Sequence, residues 1–390
     1  MARKTQQKSG CGCCSIPFSV ILLCLGGGYF LFTQWDNWGL SRLIPDHISE
    51  ELALYLPIFD TTATPELITP DLNPPPAHSP SPLPQASPIP AAPRQPIENI
   101  RGIYLSRYQA TNNADEETIR QRVRYYRSKG INTIIHGVWG NACTMYRSQV
   151  MQAKFGYDSC PNQFQDQWLD WLIDEAHQQG MEVHAYFEKG IKIDQNSHAF
   201  DLAVQRGWIV PGVDRTHPGV DHYVLDVSIP AVAEFFTAIS VEFVQKYPQI
   251  DAVQWDDYLG YYDELPGDVD RTEELTQFVR TLITETKAAN PRISFDICHH
   301  NPYWAKRYFA ADWETWGVDR AFIQVYGDEN FEAELPYVKA HDGISITERQ
   351  FDRIAGLIAN PKIEHILFFP LSGNPEKMAE AVHRLTTAVN

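Results

Sequence analysis

The chain has 390 residues, 44% of them hydrophobic, and a formal net charge of −17. That length suits one large domain or two ordinary ones around a sizeable core. The acidic balance argues against a nucleic-acid binder, which needs clustered Lys and Arg, and against an electrostatic grip on an anionic membrane surface.

Arg3, Lys4 and Lys8 precede a run from Ser9 to Trp35 without a charged residue. Its apolar centre, residues 16–33, would span about 27 Å as a helix, close to the hydrocarbon thickness of a bilayer. The basic flank puts the N-terminus in the cytoplasm, with Trp35 and Trp38 as anchors at the outer interface. We expect a cytoplasmic N-terminus (1–15), a single transmembrane signal anchor (16–33), a juxtamembrane segment (34–60) and an exported remainder. Cleavage as a signal peptide is the competing reading. No small-x-small site follows the run, and Cys24 follows Ile-Leu-Leu, a poor lipoprotein signal.

Residues 61–97 contain 12 prolines and no apolar period. They read as a disordered, semi-extended spacer reaching about 3 Å per residue. Cysteines divide by compartment: Cys11, Cys13 and Cys14 precede the span, while Cys143, Cys160 and Cys298 follow it into an oxidising space. Cys143 and Cys160 lie in one loop, either bridged, which would stabilise by roughly 3 kcal/mol, or as two separate buried thiols.

From residue 98 to residue 390 strands and helices alternate. Strands are expected at 100–107, 132–139, 181–188, 252–258, 293–298, 320–326, 342–347 and 364–370. Amphipathic segments such as "DEETIRQRVRYYRSKG" and "QDQWLDWLIDEAHQQG" lie between them and stop at glycine. Eight β/α repeats match an α/β, TIM-type (β/α)8 barrel. An open doubly wound sheet is the alternative, but no Gly-rich phosphate loop follows the first strand.

Barrel strands alternate between lumen and helix layer. In "AVQWDDY", Val253 and Trp255 suit the helix layer, so Gln254 and Asp256 face the lumen. Asp257 starts on the outer face and must turn back to reach the mouth. The same count sends His184, Tyr186 and Glu188 inward, with Asp296, Gln324 and Tyr326, and lets Trp139 line the mouth. Acids on several strands at the C-terminal end supply what acetal hydrolysis needs, one protonated carboxyl and one ionised. Each has a structural alternative: Asp257 as a helix cap, Glu188 as partner of a buried cation, Asp296 on a lumen water or lysine, His184 as a satisfied core histidine. His299 and His300 face opposite ways as strand neighbours, and no H-E-x-x-H motif occurs, so no metal site is expected.

"RGIYLSR", "GINTIIHGVWGNACTMYRS", "AHQQGMEVHAYFEKG", "IDAVQWDDY" and "NPYWAKRYFAADWETWGVDRAFIQVYG" resemble, in order and spacing, the glycosyl-hydrolase-like 10 family of bacterial barrel proteins. The resemblance covers roughly residues 98–375. It implies a TIM-type barrel and glycoside hydrolase activity, with bacterial cell-wall glycan as substrate; no cofactor is expected. Carried over by motif, it implies Arg101, Trp139, Tyr146, His184, Glu188, Asp256, Asp257, Asn301, Gln324 and Tyr326 as site residues. Two positions depart from the pattern: the family's "HAWF" is His184-Ala185-Tyr186-Phe187 here, and the proline of "YPS" is Arg147. No acid lies at the C-terminal end of the seventh strand except Glu348.

The expectation is therefore a membrane-anchored, exported glycosidase acting on a polysaccharide. Asp256 would be nucleophile or base and Glu188 or Asp257 the acid. Substrate would be held by Arg101, Trp139, Tyr146, His184, Asp296, Asn301, Gln324 and Tyr326. A carbohydrate-binding barrel without catalysis and a metal-dependent hydrolase on the same fold are the alternatives.

Overall fold

A computed structural model describes residues 97–160, 164–212, 222–261 and 271–387. The expected membrane span, the juxtamembrane segment and all but the last residue of the proline-rich spacer lie outside these residues. Among the described residues no helix is long and apolar enough to cross a membrane.

Eight parallel strands form the barrel: β1 (Arg101–Leu105), β2 (Thr133–Gly140), β3 (Glu182–Phe187), β4 (Ala252–Asp256), β5 (Ser294–His299), β6 (Arg320–Val325), β7 (Gly343–Ile346) and β8 (His365–Phe368). Each pairs with the next, and β1 pairs with both β2 and β8, which closes the sheet. The helices that follow these strands in turn are α1 (Glu116–Ser128), α2 (Gln167–Gln178), α3 (Pro230–Lys246), α4 (Arg271–Ala289), α5 (Pro302–Phe309), α6 (Phe331–Val338), α7 (Ile354–Ile358) and α8 (Pro375–Thr387). The start of α1 shows how local sequence sets an element. Asp115 accepts a hydrogen bond from the Thr118 amide, Glu116 and Glu117 sit in the first turn, and Ile119, Val123 and Tyr126 form the buried face.

The period-two count separates the two faces as expected over most strands. Phe187 and Trp255 face the helix layer and stack at 4.6 Å, with Phe236 of α3 against Trp255. Such a stack contributes about 0.5–1.5 kcal/mol beyond its buried area. Ile100, Tyr104, Ile135, Tyr186, Cys298, Phe322 and Leu367 make a separate cluster inside the barrel.

Strand β2 breaks the count. Its register against β3 shifts between Gly137 and Trp139. A bulge of this kind adds one residue and reverses the faces beyond it. Trp139, expected to line the mouth, instead packs outward on Phe235 and Phe236 of α3. Its indole N–H donates to the Gly190 carbonyl at 3.0 Å, so it pins the loop after β3.

Candidate active site

The C-terminal ends of β3 and β4 bring the acids together, and the residue after β5 adds His300. Asp256, the last residue of β4, is 6% exposed. Its Oδ2 accepts the Tyr186 hydroxyl and its Oδ1 accepts the Tyr258 amide at 3.0 Å. Burial first, and then the neighbouring Asp257 carboxylate, hold Asp256 well above the usual carboxylate range, against those two hydrogen bonds.

Asp257 follows the strand and turns into the mouth, where its Oδ2 lies 3.5 Å from His300 Nε2. Its side chain keeps 17% of its exposure. Burial alone would raise it, but the His300 hydrogen bond and charge outweigh burial and leave Asp257 below its ordinary value. The doublet is thus split into one carboxyl favouring the proton and one favouring the charge. Glu188, just past β3, is raised by burial, opposed by Lys189 and Arg107. It accepts no hydrogen bond from the described residues.

Glu188 lines a cleft of about 260 Å³ with Arg107, Asn141, Lys189 and His198, walled on one side by Cys143 and Cys160. These cysteines are paired as a disulfide, with Cα atoms 5.3 Å apart. The loop after β3 is seated on the loop after β4 by Gly190. Its φ is +45°, and any Cβ would stand 2.4 Å from the Tyr258 carbonyl oxygen. A second cleft, of about 120 Å³, lies beyond His300 and is lined by Trp304, Gln324, Tyr326, Asn330 and Glu334.

The other expected residues divide clearly. Gln324 and Tyr326 are at the mouth, Tyr326 stacked on Phe369 at 5.2 Å and bonded to Ser345. Asp296 and His184 face the lumen as expected, but they belong to its lower half and are fully buried. There Arg320 Nε donates to Asp296 Oδ2 at 2.9 Å, Arg320 Nη1 lies 3.5 Å from Glu182, and His184 Nε2 is 3.0 Å from Glu182 Oε2. This is a closed charge network beneath Tyr186 and Gln254, so neither residue reaches a substrate.

Three assignments are corrected. Arg101 begins β1 at the opposite end of the barrel and donates to the Ile100 and Glu364 carbonyls. Tyr146 packs against Phe243 and Tyr247 outside the barrel, its hydroxyl on the Ile239 carbonyl and Glu242. Asn301 is the N-cap of α5, its Oδ1 accepting the Trp304 amide at 3.0 Å and its Nδ2 donating to Glu334. Glu348, the acid just past the C-terminal end of β7, accepts the Leu371 and Ser372 amides and clasps the loop after β8.

His300, the partner of Asp257, had a legible signal. It continues the lumen phase Asp296, Cys298, His300 past the strand end. His299 is almost fully buried, edge-on to Phe309, where burial pushes it down to about 3. Trp304 and Glu334 come from helices that only the fold brings to the mouth. Among the described residues no group of three or more His, Cys, Asp or Glu is placed to hold a metal ion.

The model of the glycosyl hydrolase-like 10 family matches residues 99–270, from β1 through the loop after β4, the segment that carries Glu188 and the acid doublet. The motif resemblance is shown over that segment. Across 217 residues the chain is 31% identical to Glycosyl hydrolase DigH of Escherichia coli strain K12, and equally to its counterpart in Shigella flexneri. The match covers 45% of this chain and 45% of those proteins, so the chain spans less than half the length of the curated relatives it matches. Among solved structures, a GH20 exo β-N-acetylglucosaminidase from Vibrio harveyi is 13% identical at a TM-score of 0.49, covering 76% of this chain and 54% of that one. A GH36 α-galactosidase AgaA from Geobacillus stearothermophilus is 15% identical at 0.47, covering 75% and 42%.

Proposed function

We propose that the barrel is a glycoside hydrolase that cleaves a polysaccharide, with bacterial cell-wall glycan as its substrate. The observation that carries this reading is the split protonation at the mouth. Asp257, partly exposed and favouring its charge beside His300, is the base or nucleophile. Glu188, raised by burial and open to the larger cleft, is the general acid. Asp256 is the inner member: favouring its proton, it spares Asp257 a neighbouring charge, and with Tyr186 it fixes the end of β4. This moves the base or nucleophile from Asp256, as expected from the sequence, to Asp257 and keeps Glu188 as the acid, because Asp256 is the more buried of the pair. The family match to residues 99–270 supports the reaction class.

We propose further that residues 16–33 anchor the chain and that the barrel acts outside the cytoplasm. The Cys143–Cys160 disulfide supports this, since such bonds persist in oxidising compartments. Protease digestion of spheroplasts tests it: a barrel protected in intact spheroplasts would refute export.

The activity test incubates the full chain with purified bacterial wall glycan and follows new reducing ends by mass spectrometry. Products from wild type that vanish with Asp257→Asn and Glu188→Gln are expected. Products that persist in both variants would remove these residues from the chemistry. Binding without products from wild type would favour a carbohydrate-binding barrel instead.

A further inference from the structure

Beyond the acid doublet the mouth has a second compartment that the proposed chemistry does not use. It opens from His300, whose ring stacks on Phe309 at 4.9 Å and lies 6.5 Å from Trp304. Trp304 is held in place twice: its amide is bonded by the Asn301 cap, and its ring sits 4.8 Å from Tyr308. Even so, it is 45% exposed. One exposed aromatic is ordinary on a protein surface. What surrounds this one is not.

Besides His300 and Tyr326, three polar side chains line the same cleft. Glu334 is fixed by the Asn301 amide, which donates to both carboxylate oxygens at 2.8 and 3.0 Å. Gln324 projects from the end of β6, and Asn330 stands before α6 without a side-chain capping bond. Neither amide has a side-chain hydrogen bond among the described residues. An aromatic ring beside two open amides and an oriented carboxylate offers an apolar face with donors and acceptors at its rim. That is the pattern of a pyranose, whose C–H face is apolar and whose hydroxyls point outward.

Charge narrows the class. The cleft contains no Lys or Arg, and its imidazole, His300, already faces the Asp257 carboxylate at 3.5 Å, which leaves Glu334 to repel an anionic sugar. The Glu188 cleft on the other side of the doublet carries Arg107 and Lys189. We infer that the Trp304 cleft is a subsite for a neutral sugar unit, stacked on Trp304 and hydrogen-bonded by Gln324, Asn330 and Glu334, next to the bond that Asp257 attacks. This rests on the glycosidase reading for its reaction but not for its binding.

The test uses the full chain carrying Glu188→Gln, which lies in the other cleft, titrated calorimetrically with N-acetylglucosamine oligomers of two to six units. Adding Trp304→Ala is expected to weaken binding about tenfold, the loss of one stacking contact of roughly 1.4 kcal/mol. Trp304→Phe should retain most of the affinity. Tyr303→Ala should change nothing, because Tyr303 is 60% exposed and does not line the cleft. Oligogalacturonate of the same length should bind through Trp304 at least tenfold more weakly. Unchanged binding in Trp304→Ala, equal Trp304-dependent binding of the acidic oligomer, or no binding of the neutral oligomers would each overturn the inference. Trp304-dependent binding without hydrolysis by wild type would overturn the glycosidase reading and leave the subsite standing.

Discussion

Replacing Arg320 by Met tests whether the lumen network is structural or belongs to the site. Arg320 contacts Asp296 through Nε at 2.9 Å and Nη2 at 2.7 Å, and Glu182 at 3.5 Å. Asp296 is fully buried and the Glu182 side chain is 7% exposed. Burial alone would raise Glu182. The His184 contacts and the Arg320 charge more than reverse that and hold it at about 2, against 4.5 for a free glutamate. That gap corresponds to roughly 3 kcal/mol of folding free energy at neutral pH. Removing the cation also leaves fully buried Asp296 without its counter-charge, while Glu182 keeps His184, and about 3–5 kcal/mol is the usual cost of breaking a buried pair. Urea unfolding of the full chain at neutral pH should therefore show a loss in that range.

The pH arm has a definite sign. Glu182 has a folded value below its unfolded one, so its contribution is complete above about 4.5 and is lost as pH falls toward about 2. Without Arg320 the folded value rises and this acid-side slope shrinks. Activity per folded molecule should be kept, since the network lies beneath the mouth. A loss under about 1 kcal/mol, or an unchanged slope, would refute the reasoning.

In the proposed chemistry, Asp257→Asn should lower kcat by about 10³-fold, whereas Asp256→Asn, an isosteric and neutral replacement, should cost far less; steady-state kinetics on wall glycan compares them. The pH–rate profile should lose activity as pH falls through the lowered value of Asp257 and as it rises through the raised value of Glu188. His300→Ala should move the acid limb upward while leaving the alkaline limb in place, because it removes only the group that favours charged Asp257. Replacing Cys143 and Cys160 together by serine opens a crosslink of sequence separation 17 and should cost about 3 kcal/mol in urea unfolding; a loss near zero would show the bridge adds nothing to stability.

The sequence by itself determined the barrel and the inward face of most strands. Both follow from local rules: glycine stops, helical and strand periods, and the outward preference of Val253, Trp255 and Phe187. Period two placed Gln254, Asp256, Glu188, His184 and Asp296 in the lumen correctly, because a strand cannot shift one side chain without shifting all of them. It could not see the bulge in β2, since one extra residue changes the phase without changing the composition, and so it put Trp139 in the mouth. Alternation also says nothing about height along the barrel, which is why Asp296 and His184 were read as ligands although they lie in the floor. Motif position misled for Arg101, Tyr146 and Asn301. One lies at the wrong end of the barrel, one in the outer layer, and one caps a helix. Only the tertiary structure decided the fate of the doublet. Whether Asp256 or Asp257 keeps its proton depends on burial, Tyr186 and His300, and those partners arrive from β3 and from just past β5, 70 residues before Asp256 and 43 after Asp257 in the chain.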